Sequence, residues 1–330
     1  MQTLKMPRVR LLNSPTALEP LVRIQEEIGC GPVYIKRDDC MPLGLGGNKV
    51  RSLEFWMGEA IDKKSNVIVV AGAPVSNQCR LAAAAAAKLG IKCLILHSSD
   101  PIDLPSGNLL LNYLLGAEIR FIGKVDEDKR NQIAEDVMTQ LKKDGHTPYL
   151  IGDPTVGAAG YIQGAFELYE QSQKYDVGLK HIFIPGSMGT TEAGFLIGNT
   201  LLSSPFTVHI ISVEYKRQVL SNIIQNIYKK ASEYLKLDTP PDSWREHTVI
   251  YDDYLGNGYD VPTKESTEAI KTAASLEGFF LENTYTSKTF AGMLDLLRKK
   301  TFKQNEVSCF IHTGGVPALF SQQNYLKELF

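Results

Sequence analysis

Lys49 follows a glycine pair and an asparagine in the stretch LGLGGNKVRSLEF, residues 43–55. Gly46 and Gly47 permit backbone conformations and close approaches that other residues block, while Asn48 and Lys49 supply hydrogen-bond donors. A lysine amine can also form a covalent imine with a carbonyl compound. Taken alone, the motif more often marks a glycine turn followed by a solvated lysine.

Two further loops place small polar residues between an apolar run and a helix. In AGAPVSNQCR, Ser76 and Asn77 are good helix N-caps, and a hydroxyl there also faces any ligand bound at the helix end. In PGSMGTTEAG, backbone N–H groups beside the positive end of a helix dipole make an anion site, for which a phosphate monoester is the natural ligand. A plain turn explains the second pattern about equally well. The residues of this predicted phosphate cup are Ser187, Met188, Gly189, Thr190 and Thr191.

A fourth loop follows the apolar run in CFIHTGGVPALF, residues 309–320. His312 is more typical of a packed or capping histidine than of a catalyst, whereas the hydroxyl of Thr313 is expected to emerge at the end of the strand. A lysine on one loop and a phosphate cradle on another suggest a single ligand with an aldehyde and a phosphate. Pyridoxal 5'-phosphate has both groups, and it acts as an electron sink for carbanions at the α-carbon of amino acids.

Short apolar runs alternate with helical segments along the chain, which predicts an α/β fold with open, doubly wound, mostly parallel sheets. In such sheets ligands bind beyond the carboxyl ends of the strands, where these loops lie. An alanine run at residues 82–87 predicts a tightly packed helix that ends at Gly90. The predicted strands are residues 66–71, 92–97, 118–122, 181–186, 208–214 and 307–315, and a polar helix is predicted at 126–143.

Length and composition exclude several classes of function. The 330 residues are enough for about two lobes, and a net charge of −2 provides no basic surface for nucleic acid. Neither a signal peptide nor a membrane span is apparent, so we expect a soluble, cytoplasmic protein with no nucleic-acid or membrane partner. The five cysteines form no CxxC pair, which argues against a disulfide framework and a structural zinc site.

Five blocks of the sequence, taken in order, resemble the D-cysteine desulfhydrase and 1-aminocyclopropane-1-carboxylate deaminase family. Members of this family are pyridoxal-phosphate enzymes of fold type II, with a tryptophan synthase β-like fold. Each block alone is a weak signal, but the ordered set is specific and spans residues 35–320. The blocks are IKRDDCMPLGLGGNKVRSLEF, APVSNQCRLAAAAAAKLG, GNGYDVP, ENTYTSKTFAGMLDLL and IHTGGVPALF.

The resemblance implies a role for each matching residue. Lys49 matches the lysine that holds the cofactor covalently, and we also choose it as the catalytic base. Asn77 matches the residue that hydrogen-bonds the ring hydroxyl, and Ser76 matches a residue beside the substrate carboxylate and reacting carbon. Tyr259 and Tyr285 match two active-site tyrosines. With the phosphate cup, the implied cofactor contacts are Asn48, Lys49, Asn77, Thr286, Thr313 and Gly314, and the implied substrate contacts are Ser76, Asn77, Gln78 and Tyr285.

The resemblance also implies an architecture. A large cofactor-binding domain of residues 1–49 and 166–330 would carry a small inserted α/β domain of residues 50–165, with the cofactor between the two domains of each subunit in a homodimer.

Two positions separate the branches of the family. The deaminases carry a glutamate directly after the second tyrosine and a leucine after the histidine of the last motif, where this chain has Thr286 and Thr313. A carboxylate keeps the pyridine nitrogen protonated, whereas a neutral hydroxyl donates a hydrogen bond to an unprotonated nitrogen. A pyridine ring with an unprotonated nitrogen withdraws electrons less strongly. This suffices when a group leaves Cβ, but it makes opening a cyclopropane ring harder.

The resemblance therefore favours a D-cysteine desulfhydrase, which releases pyruvate, hydrogen sulfide and ammonia. The open alternatives are the cyclopropane deaminase, which releases 2-oxobutanoate and ammonia, and a lyase that prefers D-serine or β-chloro-D-alanine. A protein that binds the cofactor without turnover is a further alternative. Ser52 stands where the family often has a lysine near the phosphate, so phosphate binding is expected to be weaker or to draw charge from elsewhere.

Overall fold

The computed structural model describes residues 4–329 of the chain. Its strands are β1 (Leu18–Pro20), β2 (Val33–Lys36), β3 (Val67–Gly72), β4 (Lys92–His97), β5 (Glu118–Phe121), β6 (Pro148–Leu150), β7 (Leu179–Gly186), β8 (Thr207–Ser212), β9 (Thr248–Tyr251) and β10 (Val307–Ile311). Its α-helices are α1 (Val22–Ile28), α2 (Lys49–Asp62), α3 (Asn77–Leu89), α4 (Gly107–Leu114), α5 (Glu127–Lys143), α6 (Pro154–Gly157), α7 (Ala159–Lys174), α8 (Thr190–Leu201), α9 (Arg217–Tyr234), α10 (Lys264–Thr272), α11 (Thr286–Arg298) and α12 (Val316–Leu319).

The strands form two sheets. The larger has the order β1-β2-β10-β7-β8-β9 and is parallel except for β1, which pairs antiparallel with β2. The smaller has the order β5-β4-β3-β6 and is parallel throughout. Helices flank both sheets, so the predicted α/β class with two mostly parallel sheets is confirmed.

Most predicted strands lie within one or two residues of the observed ones. The predicted strand at 307–315 is too long, because β10 ends at Ile311 and Gly314 and Gly315 have φ angles of 97° and 90°, which extended strands do not adopt. The short strands β1, β2, β6 and β9 are not among those predicted, since three or four residues give too little pattern to identify.

The alanine-rich segment forms α3, as predicted. Ser76 caps its start by accepting a hydrogen bond from the backbone N–H of Cys79 at 3.3 Å, and Gly90 ends it in the left-handed conformation with φ 68°. Small side chains let this helix pack closely against the loop that precedes Lys49. A Cβ on Gly44 would lie 2.7 Å from the Cβ of Ala84.

The smaller sheet uses only residues between Val67 and Leu150, while the larger takes strands from both sides of that segment. This arrangement accords with an inserted small domain, but residue 165 lies inside α7, and one continuous hydrophobic cluster contains Ile68 of the smaller sheet and Ile184 of the larger. The division at residues 50 and 165 stays a prediction. None of the helices in residues 4–329 has both the length and the apolar composition needed to cross a membrane.

Candidate active site

A cavity of about 800 Å³ lies where the carboxyl ends of β3, β7 and β10 meet the N-terminal ends of α2, α3 and α8. Its size suits a cofactor with a small substrate. The structure brings nearly all of the predicted site residues to its wall: Asn48, Lys49, Ser76, Asn77, Gln78, Ser187, Met188, Thr190, Thr191, Tyr259, Tyr285, Thr313 and Gly314.

Backbone contacts fix the loop that carries Lys49. The N–H of Gly47 donates to the carbonyl of Asp38 at 2.9 Å, and the N–H of Asn48 donates to the carbonyl of Thr313 at 2.9 Å. A Cβ on Gly46 would lie 2.0 Å from the carbonyl oxygen of Asp39, and one on Gly314 would lie 2.6 Å from the Cα of Gly47. The glycines of both loops are therefore required because the two backbones touch beside Lys49.

Arg80 holds the same loop through hydrogen bonds to its backbone, and this residue was not identified from the sequence. Its side chain is fully buried in α3 and donates hydrogen bonds to the carbonyls of Gly44 and Gly46, the latter at 3.0 Å. Burial lowers the pKa of Arg80 to about 10. The signal in the sequence was an arginine just before the alanine run of α3.

A buried ion cluster holds the first turn of α2, directly after Lys49. Arg51 makes a bidentate pair with Asp38, with both N···O distances at 2.8 Å, and also contacts Glu167 at 2.9 Å. Tyr161 donates to the same Asp38 carboxylate at 2.6 Å. Although burial acts to raise the pKa of Asp38, the charge and hydrogen bonds of Arg51 outweigh it and lower that pKa to about 2.

The side chain of Lys49 is half-buried and lines the cavity. Burial lowers its pKa below the ordinary lysine value, and the negative charge of Glu192 acts in the opposite direction. Burial in turn raises the pKa of Glu192, which is 3% exposed. A lysine with a lowered pKa is a better nucleophile and base near neutral pH, because more of it is unprotonated.

The start of α3 presents donors to the cavity. The side-chain oxygen of Asn77 accepts a hydrogen bond from Asn108 at 3.0 Å, which leaves the amide nitrogen of Asn77 as the donor available to a ligand. Ser76 and Gln78 line the cavity on either side of it. A helix N-terminus with such side chains suits a carboxylate or a phenolate oxygen.

The predicted phosphate cup lies at the start of α8. Gly189 caps this helix with φ 82°, and a Cβ there would lie 2.7 Å from Ile223, so the tight turn depends on glycine. Asn48 donates to the hydroxyl of Thr191 at 2.9 Å, which joins the cup to the lysine loop. The first N–H groups of a helix lack partners within it, so this turn with its two threonines suits a phosphate. Together with Lys49 for the aldehyde, the donor set fits pyridoxal phosphate.

Ser52 does not contribute to the cup. Its side chain is buried in α2, and the hydroxyl donates to the carbonyl of Gly157 at 2.9 Å. The hydroxyl of Ser52 is therefore engaged within the protein, and a serine supplies no positive charge to a phosphate.

Tyr259 and Tyr285 meet across the cavity. Their hydroxyl oxygens are 2.5 Å apart, and their rings pack edge to face with centroids 5.7 Å apart. Burial raises the pKa of both phenols above the ordinary tyrosine value. Both side chains are therefore neutral at pH 7, and one hydroxyl donates to the other.

The structure does not bring Thr286 to the cavity. It is the first residue of α11, it is fully buried, and its hydroxyl lies 3.1 Å from the carboxylate of Glu282. Glu282 in turn accepts hydrogen bonds from the backbone N–H groups of Thr284, Tyr285 and Thr286 and so caps α11. Sequence adjacency to Tyr285 was misleading, because successive residues at a helix start point in different directions.

His312 has the capping role expected from the sequence. Its Nδ1 accepts from the N–H of Gly314 at 3.2 Å, so its Nε2 carries the proton and donates to the carbonyl of Phe280 at 2.8 Å. This arrangement uses both ring nitrogens, while Thr313 and Gly314 of the same loop line the cavity.

Comparison with known proteins assigns the family. A family model described as pyridoxal-phosphate dependent enzyme matches residues 9–314 of the chain. The chain belongs to this family. Pyridoxal phosphate is therefore the cofactor of this enzyme, as the lysine loop and the cup predicted.

This pyridoxal-phosphate enzyme has close relatives over its whole length. It is 36% identical to a D-cysteine desulfhydrase of Serratia proteamaculans, with 96% of both chains covered. It is 34% identical to a Pyrococcus abyssi protein that is provisionally named 1-aminocyclopropane-1-carboxylate deaminase, with 98% of this chain and 96% of the relative covered. The crystal structure of an ACC deaminase homologue superposes with a TM-score of 0.89 at 32% identity, over 99% of this chain and 97% of the other. The resemblance inferred from the sequence blocks is confirmed.

Proposed function

We propose that this enzyme removes the Cβ substituent of small D-amino acids, with D-cysteine as its main substrate. In that reaction D-cysteine and water give pyruvate, hydrogen sulfide and ammonia. The observation that carries the proposal is the meeting of Lys49, the phosphate cup and the tyrosine pair in one cavity. Similarity to a D-cysteine desulfhydrase over 96% of the chain supports this choice of substrate.

Lys49 is the proposed base for the α-proton. When bound, pyridoxal phosphate withdraws electrons from the substrate α-carbon and makes its proton acidic. The amine of Lys49 takes that proton, because burial lowers the pKa of the amine toward the working range. Ser76, Asn77 and Gln78 at the start of α3 would hold the substrate carboxylate next to it.

The tyrosine pair is proposed to deliver a proton to the leaving group. Because one hydroxyl of the pair donates to the other, the second hydroxyl keeps a proton that it can give to a departing sulfide. Raised pKa values keep both phenols protonated until that step. Thr313, which lines the cavity, is proposed as the neutral partner of the pyridine nitrogen, which favours elimination.

The test of the covalent site uses the colour of the lysine-bound cofactor. Purified protein should absorb visible light, and borohydride should bleach the absorbance. Lys49→Ala should lose both the absorbance and pyruvate release. Lys63→Ala is the matched control, because Lys63 is exposed at the far end of the same helix, where it pairs with Glu59. A colourless protein that cannot be reconstituted with pyridoxal phosphate would overturn the proposal.

A substrate panel decides between desulfhydrase and deaminase. The alternative, opening of 1-aminocyclopropane-1-carboxylate to 2-oxobutanoate and ammonia, is supported by similarity to the ACC deaminase homologue. D-Cysteine, L-cysteine, D-serine, β-chloro-D-alanine and the cyclic amino acid are offered separately, and the keto acids are quantified. The proposal expects pyruvate from D-cysteine at the highest kcat/KM. Higher kcat/KM on the cyclic substrate, or on the L-enantiomer, contradicts it.

We further propose a homodimer in the cytoplasm. Apolar side chains are exposed along α4 and the loop before it, with Leu104 at 86% and Leu114 at 73% exposed, and such patches favour association. Free thiols at all five cysteines accord with a reducing compartment. Leu104→Asp combined with Leu114→Asp should yield a monomer in sedimentation velocity, whereas a dimer that survives both substitutions excludes this surface as the interface.

A further inference from the structure

The phosphate cup contains carboxylates of its own. The backbone N–H of Ser187 donates to Oε1 of Glu192 at 2.7 Å, and the hydroxyl of Ser187 donates to Oε2 of Glu214. Both glutamates line the cavity, and Glu192 is the third residue of α8. Both donors of Ser187 are therefore already engaged by groups that are anions when ionised.

The cationic side chains around the cup are too few to neutralise a phosphate group. Among the residues lining the cavity, Lys49 and Arg130 are the cations, and Arg130 lies 3.7 Å from the carboxylate of Glu127. The position where the family often has a lysine is the buried Ser52. The acidic side chains that line the same cavity are Glu127, Glu135, Asp153, Glu192 and Glu214, and the phenols of Tyr259 and Tyr285 are further titratable groups that belong to residues of this lining.

A phosphate monoester would bring nearly two negative charges to the start of α8. An ionised carboxylate buried beside it is unfavourable, because like charges in a weakly hydrated site repel strongly. Burial already raises the pKa of Glu192, against the backbone N–H groups of Ser187, Glu192 and Gly189 and the charge of Lys49, which act to lower it. A protonated Glu192 would remove the repulsion and would also supply an O–H donor.

We propose that Glu192 binds a proton when the phosphate group of the cofactor enters the cup, so that cofactor affinity falls as pH rises. This inference rests on the proposed phosphate site at the start of α8. A hydrogen bond from neutral Glu192 thereby replaces part of the stabilisation that the charge of a lysine at position 52 would give to the bound phosphate. Glu214 contacts the side chain of Ser187 rather than its backbone, and we propose no proton uptake at Glu214.

The test measures proton uptake on binding rather than catalysis. The full chain, stripped of cofactor, is titrated with 4'-deoxypyridoxine 5'-phosphate, which has the phosphate but no aldehyde, so Lys49 cannot attach to it. Calorimetry between pH 7.5 and 9 in buffers of different ionisation enthalpy should find uptake of about one proton, and affinity should fall by about tenfold per pH unit where uptake is complete.

Glu192→Gln should abolish that uptake and bind the analogue about tenfold or more tightly at pH 9, because the amide is neutral at every pH. Glu214→Gln is the matched control, and it should keep the uptake. Uptake that persists in Glu192→Gln, or that disappears only in Glu214→Gln, overturns the inference. Circular dichroism of each near-isosteric variant checks that it is folded.

A third variant separates failure of the inference from failure of the phosphate site. Thr191→Val removes a hydroxyl of the cup, and it should weaken the phosphorylated analogue but not unphosphorylated 4'-deoxypyridoxine. If Thr191→Val has this effect while Glu192→Gln changes nothing, the phosphate site is right and the role of Glu192 is wrong. If neither substitution affects the phosphorylated analogue, the phosphate binds elsewhere and both proposals fail.

Discussion

Two glycines with nearly equal φ angles make very different contributions at the residue scale. Gly46 has φ 69° and ψ 175°, whereas Gly90 has φ 68° and ψ 27°. A Cβ at Gly90 would meet nothing within 4 Å, whereas one at Gly46 would lie 2.0 Å from the carbonyl oxygen of Asp39. Gly90 therefore carries only the strain of the left-handed region, whereas Gly46 combines a backbone conformation nearly restricted to glycine with steric exclusion.

Gly90→Ala should therefore lower the free energy of unfolding by about 1 kcal/mol, the cost of a left-handed alanine. Gly46→Ala should lower it by roughly 3 kcal/mol or more, because a backbone conformation nearly restricted to glycine and overpacking act together there, and it should also displace Lys49 and abolish the visible absorbance. Urea denaturation and absorbance spectra check both variants. Equal losses of stability in the two would contradict the steric argument.

Thr286 is a second residue whose surroundings change its expected role. Substitution by glutamate would place a second carboxylate beside the buried Glu282. Thr286→Glu should therefore lower the free energy of unfolding by roughly 3–5 kcal/mol, as an uncompensated buried charge does, rather than confer deaminase activity. Thr286→Val, which loses the hydroxyl alone, should cost about 1–2 kcal/mol. A stable Thr286→Glu enzyme that opens the cyclopropane ring would refute this expectation.

At the scale of elements, one helix holds the loop that carries Tyr259. Lys288 of α11 is fully buried, and its amine donates to the carbonyls of Leu255 and Gly258 at 2.8 and 2.7 Å. Asp260, with φ 58°, accepts hydrogen bonds from Thr284 at 2.6 Å and from Gln322 at 2.9 Å. The loop is therefore anchored on both sides of Tyr259 to the segment that carries Tyr285.

Lys288→Met should release this loop while leaving the cofactor in place. We expect a loss of about 1–3 kcal/mol in unfolding free energy from the two carbonyls left without their donor. We also expect kcat to fall with unchanged visible absorbance, because the tyrosine pair is displaced but Lys49 is not. Lys299→Met removes an exposed pair with Asp295 on the same helix and should cost less than about 1 kcal/mol. Unchanged kcat in Lys288→Met would argue against an anchoring role.

At the scale of the whole molecule, the pH dependence of stability involves buried groups that do not line the cavity. His209 of β8 lies 3.1 Å from His181 and 3.2 Å from the hydroxyl of Tyr251, and its ring stacks on Phe183. Burial lowers the pKa of His209 to about 3, and the neighbouring His181 contributes in the same direction. The folded protein therefore keeps this ring neutral at pH values where the unfolded chain protonates it.

The contribution of neutral His209 to stability should consequently be complete above pH 6.5, the usual histidine pKa, and should be lost as pH falls toward 3. Between pH 6.5 and 4.5 the expected loss from His209 is about 2 kcal/mol. Asp38, whose pKa is lowered from 3.8 to about 2, adds its loss only at lower pH. His209→Phe should be less stable at pH 7 but should have a flatter stability curve above pH 4.5. Parallel curves for the variant and the parent would contradict this assignment.

The sequence by itself determined the fold class and most of the cavity wall, including the position of Lys49. Apolar runs specify parallel strands through local periodicity, and such strands deliver the loops that follow them to one edge of each sheet. Asn77, the phosphate cup and Thr313 follow from that rule, whereas Lys49 was predicted from its glycine motif and the family resemblance. The block around Tyr259 and Tyr285 needed the family resemblance, because neither tyrosine follows one of the predicted strands.

Only the tertiary structure decided which distant groups meet. It set Arg80 under the lysine loop, Glu192 and Glu214 on Ser187, and Thr286 against Glu282 instead of in the cavity. Local patterns do not encode these pairings, because each depends on how a helix is rotated and on a segment remote in sequence. Charge and burial then act on the assembled neighbours, so the pKa values of Lys49 and Glu192 are properties of the folded protein rather than of any motif.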